Sequence, residues 1–496
     1  MRVFLPLVAL AVTGPIGASA AWATPDTDAS EELAAGSPAA EPPAPEFQDP
    51  AFGPSYVIES IEVRGNRKTE TSLILGELAA VGLHAGDQVG ASDGRVEAAR
   101  FRLLSLGYFL DARLSVGRGA KRGGAVLLVV VEERGTIVIN ELFLGTSAAT
   151  AFWGGVDVSE TNLVGRGINL GAGFVGSTRP ITEGAVRGFG IRGHASVPEL
   201  HGPGISLSIT GLLSDGSELF RVSGSDSDPD PRKFTAVHTR RGGGILGVGK
   251  TLSRSLRVYA DFREETVSAT VPDRMRMLGS GLLVPIDFGV RDGYSRVGSI
   301  TATAELDRRS DPVLPRSGYR LSASAELATS WLASSYTFGK FMAQGSIYRG
   351  LRWGHVLGFH ALGGAIIGDA PYFDQFFIGD LNLLMPRRAL GLNFSTLPSR
   401  NVLGTGIAGH RYDDYAGRLL VEYAIPILRR HGFVYRGDFF VAFGPLALGS
   451  SGDFEGRSVS WSTLPLDLTA DVGLRLDTYV GVFTISIANA LSRSSF

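Results

Sequence analysis

The sequence predicts a mainly β fold, an antiparallel transmembrane β-barrel of about sixteen strands preceded by one small α+β domain. Two observations carry this prediction. Over residues 136–496, segments of about ten residues alternate between apolar and polar side chains and are separated by turns, a pattern typical of membrane barrels. Over residues 55–134, helical patterns are combined with strand patterns, which indicates a compact α+β unit.

The N-terminal segment has the features of a secretory signal peptide. Arg2 gives it a positive start, an apolar run follows over residues 3–12, and Ala18 to Ala20 fit a cleavage site. The apolar run is too short to span a bilayer. We therefore expect residues 1–23 to be a signal peptide. Residues 24–54 are rich in proline, alanine and acidic side chains, which predicts a disordered linker.

The α+β unit over residues 55–134 is predicted to run in the order strand, helix, helix, strand, strand. Thr69 is the expected N-cap of the first helix, since its hydroxyl can accept a hydrogen bond from the first turn. Ser92 or Asp93 is expected to cap the second helix, and Gly107 to end it. Two apolar strands complete the unit.

The region after residue 136 shows no long helical pattern. Residues 256–262, 319–327 and 466–477 each place apolar side chains on one face of a strand and polar side chains on the other. In a membrane barrel the apolar face contacts lipid and the polar face lines a wet lumen. A soluble sandwich is the alternative, but the length of the alternating region favours the barrel.

One stretch matches a phosphate-binding loop. Residues 244–251 read GILGVGKT and fill every fixed position of the G-x-x-x-x-G-K-[ST] pattern. A working loop of this kind leads into a helix, whose N-terminus completes the anion site. Here an alternating strand follows instead. We therefore interpret the match as a coincidence and expect no bound nucleotide.

No other motif indicates catalysis, a metal site or a cofactor. The eight histidines are scattered without an H-E-x-x-H pattern, and no G-x-S-x-G elbow is present. The chain has no cysteine, which excludes disulfides and thiolate sites. Its formal net charge of −2 gives no reason to expect a nucleic-acid partner. We expect the protein not to be an enzyme.

The order of several short motifs resembles a known family. Residues 58–71 (IESIEVRGNRKTET) and 103–116 (LLSLGYFLDARLSV) resemble a POTRA module. The remainder resembles the bacterial surface antigen superfamily of BamA- and TamA-like outer-membrane assembly proteins. The segments that carry this second resemblance are SETNLVGRGINLGAGF (159–174), ELDRRSDPVLPRSGYRLSASAE (305–326), PYFDQFFIGD (371–380) and TADVGLRLDTYVGVFTISIANAL (469–491).

The resemblance implies a loop that folds into the barrel and is locked there by an arginine and an aspartate. The arginine of the family's Arg-Gly-aromatic tip corresponds to Arg388, with Arg387 as an alternative register. The glycine and the aromatic residue are replaced, and Ala442 stands where the family has the aspartate. Asp438 lies four residues earlier on the same face of the strand, so it is a candidate substitute. The alternative is that Asp438 is merely solvated in the lumen.

The resemblance also implies a weak seam between the first barrel strand, near residues 137–145, and the last, residues 481–491. Such a seam can open and pair with a substrate strand by β-augmentation. The seam strand begins at Gly481, and Phe483, Ile485 and Ile487 are expected to face lipid. Phe496 lies in a tail that is either a recognition signal for barrel assembly or frayed.

The function implied is insertion or translocation of proteins at the outer membrane of a Gram-negative cell, with the POTRA domain in the periplasm. Expected partners are unfolded outer-membrane or secreted proteins, the lipid bilayer and periplasmic accessory proteins. A dedicated two-partner secretion pore is the nearest alternative, although such pores usually have two POTRA modules and a plug helix. A passive structural barrel is a third possible function, which the altered loop tip favours. A barrel with a fused enzyme is the most remote alternative.

Overall fold

This computed structural model describes residues 9–12, 55–90, 93–145, 152–178, 186–197, 204–223, 231–253, 255–277, 283–311, 313–378, 411–450 and 466–490. Within these ranges the chain forms a small α+β domain followed by a large antiparallel barrel, which confirms the predicted fold class. A four-residue strand, β1 (Ala9–Val12), lies near the N-terminus and belongs to the barrel sheet.

The α+β domain follows the predicted order, with one short strand added. Its elements are β2 (Tyr56–Arg64), α1 (Thr71–Ala79), β3 (Gln88–Val89), α2 (Gly94–Ser105), β4 (Phe109–Arg118) and β5 (Gly124–Glu133). The sheet order is β3-β2-β5-β4, with β2 parallel to β5 and the other pairs antiparallel. The helices and the sheet enclose a core that includes Ile74, Leu103 and Leu127.

The helix ends are set by local chemistry. Asp93 caps α2, because its carboxylate accepts a hydrogen bond from the Arg95 amide at 2.9 Å. Gly107 follows α2 with φ of +78°, a conformation that suits glycine. The prediction that Thr69 caps α1 was wrong, since Glu70 occupies the N-cap position. The Thr69 hydroxyl instead accepts a hydrogen bond from Asn162 Nδ2 at 2.9 Å.

The barrel wall is built mainly from long strands. Its early strands are β6 (Ile137–Gly145), β7 (Trp153–Leu163), β8 (Ile168–Ser177), β9 (Phe189–Val197), β10 (Ile205–Arg221), β11 (Phe234–Thr251) and β12 (Leu256–Thr270). A small hairpin of β13 (Met275–Met277) and β14 (Leu283–Pro285) follows. The wall continues with β15 (Gly293–Asp307), β16 (Gly318–Ala328), β17 (Thr337–Gly350) and β18 (Val356–Asp369).

The C-terminal part of the barrel begins with a second small hairpin, β19 (Phe376–Ile378) and β20 (Arg411–Asp413). The last wall strands are β21 (Tyr415–His431), β22 (Val434–Gly449), β23 (Leu466–Thr478) and β24 (Gly481–Ala490). The hydrogen-bonded order runs without interruption from β24 back to β6, and β1 is added beyond β24. Among the described residues, the continuous wall from β6 to β24 therefore has fifteen strands.

Every neighbouring pair in this wall is antiparallel. Because the number of strands is odd, β6 and β24 run in the same direction. Short turns join strands at the end where the α+β domain lies, called here the domain end. Longer connections join them at the opposite end, called here the loop end. This asymmetry is typical of outer-membrane barrels.

The predicted alternation gives the barrel an apolar outer face and a polar interior. On β15, Ile300 is exposed on the outside, whereas Ser299 is fully buried. Aromatic side chains are strongly exposed near both ends of the wall: Trp353, Phe433 and Tyr479 at the domain end, and Trp331, Tyr294 and Phe152 at the loop end. Aromatic girdles of this kind mark the two interfaces of a membrane barrel.

The phosphate-loop match lies entirely within β11. Gly244 to Lys250 pair with both β10 and β12, Thr251 pairs with β12, and Lys250 stands opposite Ile205 and Val258. A turn then leads into β12 rather than into a helix. The local geometry therefore lacks the helix N-terminus that a phosphate loop requires. No helix of the described residues is both long enough and apolar enough to cross a membrane.

A pair of neighbouring positions tests the direction of the barrel faces. Ile300→Arg should destabilise the folded barrel by about 2–4 kcal/mol, because it places a charge in the middle of the lipid-facing band. Thr301→Arg should have little effect, because this position faces Asp261 and Glu326 across its two strand pairs. Urea titration of the refolded protein in lipid vesicles, read by gel mobility, measures both. Equal losses of stability would contradict the assigned faces.

Candidate functional site

The seam of the barrel lies between β6 and β24, and these strands do not pair with each other in the described residues. The short strand β1 occupies the space beside β24 and also lies next to β6. Its register is antiparallel to β24, with Ala9 opposite Ser486, Leu10 opposite Ile485, Ala11 opposite Thr484 and Val12 opposite Phe483. The seam thus accommodates one additional strand.

The seam is fastened at the domain end. The Ile139 amide donates a hydrogen bond at 2.8 Å to the carbonyl of Val480, which lies in the turn before β24. Arg134, three residues before the start of β6, donates to the Asp477 carboxylate at 2.8 Å and to the Thr478 carbonyl at 3.0 Å. Asp477 is fully buried. These contacts tie the start of β6 to the hairpin of β23 and β24.

The predicted seam residues lie on β24 with alternating environments. Ile485 and Ile487 are exposed on the outer face, Phe483 is half-buried, and Val482 and Ser486 are buried. Gly481 begins the strand with φ of +131°, within the region that favours glycine. Phe496 lies outside the described residues.

Asp477 also anchors a loop between β15 and β16. Arg436 on β22 donates to Asp477 at 3.0 Å and to Asp311 at 2.5 Å. Asp311 belongs to this domain-end loop, where burial alone would raise its pKa. Arg436 and the amides of Val313 and Leu314 outweigh burial and hold the pKa of Asp311 below its usual value. The carboxylate is therefore charged at neutral pH and keeps its bond to Arg436.

A second cluster lies at residues 371–378, called here the inward segment. This segment comprises β19 and the five residues before it, and it packs against the inner face of the wall. Phe376 is fully buried, and Lys340 Nζ lies 5.2 Å from the centre of its ring. Tyr372 packs edge-to-face against Phe220 with ring centres 5.2 Å apart. Arg241 stacks over Phe373 at 4.0 Å. Aromatic and cation–π contacts of this kind favour one fixed position of the segment.

Charged side chains complete this inner cluster. Arg263 donates to Asp374 at 2.9 Å and to Glu265 at 2.6 Å, and Arg241 also donates to Glu265 at 2.6 Å. Lys340 donates to the Asp374 carbonyl at 2.7 Å. Buried charges require such partners, because an unpaired one would be costly. The inward segment is thereby tied to β11, β12 and β17.

Gly364 on β18 leaves room for this segment. A Cβ atom at Gly364 would overlap the Phe376 ring, whereas one at the adjacent Gly363 would meet nothing within 4 Å. Because neighbouring strand residues point to opposite faces, only Gly364 faces the cluster. The close approach of Phe376 to the wall therefore depends on the absence of a side chain at Gly364.

The predicted lock is only partly visible. Arg387 and Arg388 lie outside the described residues, so the pairing of either with Asp438 stays a prediction. Asp438 lies on β22, where it stands opposite Arg475 of β23 and Pro426 of β21. Arg475 itself binds Glu422, with Nη2 to Oε2 at 2.8 Å. Asp374 links the inward segment to the wall by accepting a hydrogen bond from Arg263 at 2.9 Å.

The α+β domain docks on the turn between β7 and β8. The Glu70 amide donates to the Gly165 carbonyl at 2.9 Å, and the Glu70 carboxylate accepts from Arg166 at 2.7 Å. Tyr108 donates to the Gly167 carbonyl at 3.2 Å. Gly165 has φ of +78°, and a Cβ there would overlap the Lys68 carbonyl. Glycine is required for this close approach.

Glu133 holds the segment that makes these contacts. Its carboxylate accepts hydrogen bonds from the amides of Thr69 at 2.8 Å and Lys68 at 3.0 Å. Burial alone would raise the pKa of Glu133, but these amides outweigh it and hold the pKa below the usual value of 4.5. Among the described residues, no group of three His, Asp or Glu side chains could hold a metal ion.

Sequence reasoning identified the segment 371–380 but missed its partners. Arg263 and Asp374 are 111 residues apart, and their pairing depends on the register of distant strands. The sequence did contain one signal for these ion pairs, namely arginine residues on the polar face of the predicted strands. A charge buried in the barrel interior needs a partner of opposite charge. Nothing in the sequence indicated that Arg134 pairs with Asp477, apart from its position between the α+β domain and the barrel.

The sequence matches one known family and is similar to several solved structures. The sequence family described as the Omp85 superfamily domain matches residues 221–495. Similar solved structures include BamA from Haemophilus ducreyi lacking POTRA domains 1–3, at 13% identity and a TM-score of 0.48, covering 88% of this chain and 81% of that chain. CdiB from Escherichia coli is similar at 10% identity and a TM-score of 0.48, covering 90% and 92%. CdiB from Acinetobacter baumannii is similar at 11% identity and a TM-score of 0.47, covering 88% and 74%. No curated protein shows significant similarity to the sequence.

Substitution of Gly364, but not of the adjacent Gly363, should release the inward segment from the wall. Gly364→Val overpacks the Phe376 site at a cost of about 1–3 kcal/mol. A single cysteine at Gln375 should then react with a maleimide about fivefold faster or more, as that free energy implies. The chain has no native cysteine, so labelling is specific. Gly363→Val is the control and should leave the rate unchanged. Equal rates in the two variants would mean that Phe376 does not pack here.

The domain junction should depend on pH through Glu133. Because its folded pKa is lowered, its stabilising contribution is present above about pH 4.5 and is lost as pH falls through the folded pKa. Glu133→Gln should weaken the junction by about 1 kcal/mol at pH 7, since solvent reaches the carboxylate. The difference from wild type should vanish at lower pH. Protease cleavage near residue 135 reports the opening, with Glu97→Gln on the surface of α2 as the control. A pH-independent difference would contradict this role.

Proposed function

The chain belongs to the Omp85 superfamily, whose barrels insert or translocate proteins at the outer membrane, and from this premise we propose that it acts as an outer-membrane assembly factor. In this proposal, a substrate protein engages the barrel through the seam between β6 and β24. The proposal involves no catalytic step, because pairing of backbone groups is sufficient to template a strand.

The observation that carries the proposal is that β6 and β24, the two edges of the described wall, do not pair with each other. It supports the view that the seam has an edge able to accept an extended segment. In a membrane, unpaired backbone groups at such an edge cost several kcal/mol each. An incoming strand that pairs with them is therefore stabilised, whatever its side chains, provided that they suit lipid on one face and the lumen on the other.

The α+β domain is proposed to lie in the periplasm and to receive the substrate first. Its sheet ends at β3 on one side and β4 on the other, and sheet edges can pair with unfolded chains. Its contacts with the turn between β7 and β8, and those of Arg134 with Asp477, support a fixed position close to the seam. A substrate held on this domain would thus lie near the edge strands.

A dedicated secretion pore is the second candidate. The inward segment at residues 371–378, bound by Arg263, Lys340 and Arg241, argues against an open channel through the lumen. Secretion would require this cluster to separate. Insertion through the seam requires no such rearrangement, so the assembly function is favoured.

Depletion of the protein distinguishes these functions. If the chain assembles outer-membrane proteins, several unrelated barrels should decline together in quantitative proteomics of the outer membrane. Loss of a single protein from the culture medium, with the barrels unchanged, would instead identify a secretion pore. No change in either fraction would leave a passive barrel and contradict the proposal. A strain complemented with the wild-type gene is the control.

A further inference from the structure

Three neighbouring hairpins at the domain end carry arginines that have no partner. The turns between β15 and β16, between β17 and β18, and between β21 and β22 lie side by side, because these strands follow one another in the wall. These turns and the strand ends beside them bear the exposed side chains of Arg316, Arg349, Arg352 and Arg429. Within the described part of the chain, none of these side chains makes a hydrogen bond or a salt bridge. Positive charge is therefore concentrated here without a matching set of carboxylates.

Two of these arginines converge on one point. A Cβ atom placed on Gly354 would lie 3.7 Å from Arg316 Nη1 and 3.7 Å from Arg429 Nη2. The two guanidinium groups thus reach this point from the hairpins on either side of Gly354. Asp438 attracts Arg316 electrostatically but makes no direct bond to it. Guanidinium groups arranged in this way suit a phosphate, whose oxygens accept several of their hydrogen bonds at once.

Trp353 occupies a strained position beside this point. Its backbone φ is +61°, in the left-handed region that a bulky residue rarely adopts. The side chain is 86% exposed, so burial does not compensate for the strain. Its ring lies beside that of His355, with centres 5.9 Å apart, and His355 bonds to the Tyr423 hydroxyl at 2.6 Å. Backbone strain of this kind is common at sites that bind a ligand.

We propose that this cluster binds the headgroup of an anionic phospholipid, with the phosphate between Arg316 and Arg429. Trp353 then lies at the boundary between headgroup and acyl chains, which suits a ring that is apolar and carries a polar N–H. Ile347 is exposed on the lipid face, and Arg349 follows two residues later on the same face of β17. A soluble phosphate could use the two arginines but would leave Trp353 without a contact.

The proposed site places the lipid in the leaflet next to the α+β domain. It relies on the orientation given under the proposed function, in which this domain lies in the periplasm. It does not rely on assembly of other proteins. Because the phosphate would neutralise arginines on two different hairpins, the lipid should hold their turns together at the membrane surface.

Fluorescence quenching in vesicles tests the ligand. The protein is refolded into vesicles that contain brominated phosphatidylglycerol or brominated phosphatidylcholine, with bromine in the upper part of the acyl chains. Phosphatidylglycerol should quench with an apparent association constant about fivefold or more above that of phosphatidylcholine, since arginines near a lipid surface attract anionic headgroups. Trp353→Phe should abolish this preference. Trp331→Phe, which removes a strongly exposed ring at the loop end, should leave it unchanged.

The arginines are tested as a pair. Arg316→Gln combined with Arg429→Gln should make the two association constants nearly equal. Arg118→Gln combined with Arg122→Gln removes the same charge from exposed positions of the α+β domain and should keep the preference. Heat-dependent gel mobility shows whether each variant has folded. If the first pair does not fold, Arg429→Lys keeps the charge and should still weaken the preference, because lysine lacks the planar donor geometry.

Four results would overturn the proposal. The two lipids could quench equally, or the preference could survive the loss of Arg316 and Arg429. It could also fall as far in the control pair, which would show an effect of net charge alone. Abolition of the preference by excess glycerophosphate would identify a soluble phosphate as the ligand. The proteomic test of assembly is separate, since lipid binding and assembly can each fail while the other stands.

Discussion

The need to pair every backbone amide and carbonyl within lipid governs this structure. Hydrocarbon offers no hydrogen-bonding partner, so a sheet can span the membrane only when its edges are satisfied. From β7 to β23 each strand satisfies its two neighbours through continuous antiparallel registers. The free-energy cost of unpaired backbone groups is concentrated at β6 and β24. The seam is therefore the part of the wall with the least intrinsic stability.

The interior meets a different requirement, the pairing of charge. Arg263 connects Glu265 and Asp374, and Arg475 pairs with Glu422, so buried charges on distant strands neutralise one another. Tyr372 and Phe373 pack beside the first of these clusters, against Phe220 and Arg241 respectively. The two requirements are spatially separate. Opening of the seam therefore does not require the ion pairs of the lumen to separate.

The sequence predicted what depends on local periodicity. Alternation identified the lipid face at Leu321 and Val472, and helical spacing located both helices of the α+β domain. It did not reveal that Thr69 bonds to Asn162 instead of capping a helix, since this contact joins residues 93 positions apart. It predicted about sixteen wall strands where the described wall has fifteen, because average spacing per strand cannot resolve one strand in a region with long loops. The seam and the charge clusters arise from register, which periodicity does not specify.

The contacts of Arg134 fasten the seam at one end only. Arg134 holds Asp477 and Thr478, while Ile139 is bonded to Val480, so the two edges are joined at one end of their length. Separation of β6 from β24 must then begin at the loop end and proceed towards the α+β domain, where these contacts hold the two strands together. The opening is a wedge, narrow beside the domain and wide beside the outer loops. The contacts nearest Val480 are therefore the last to separate.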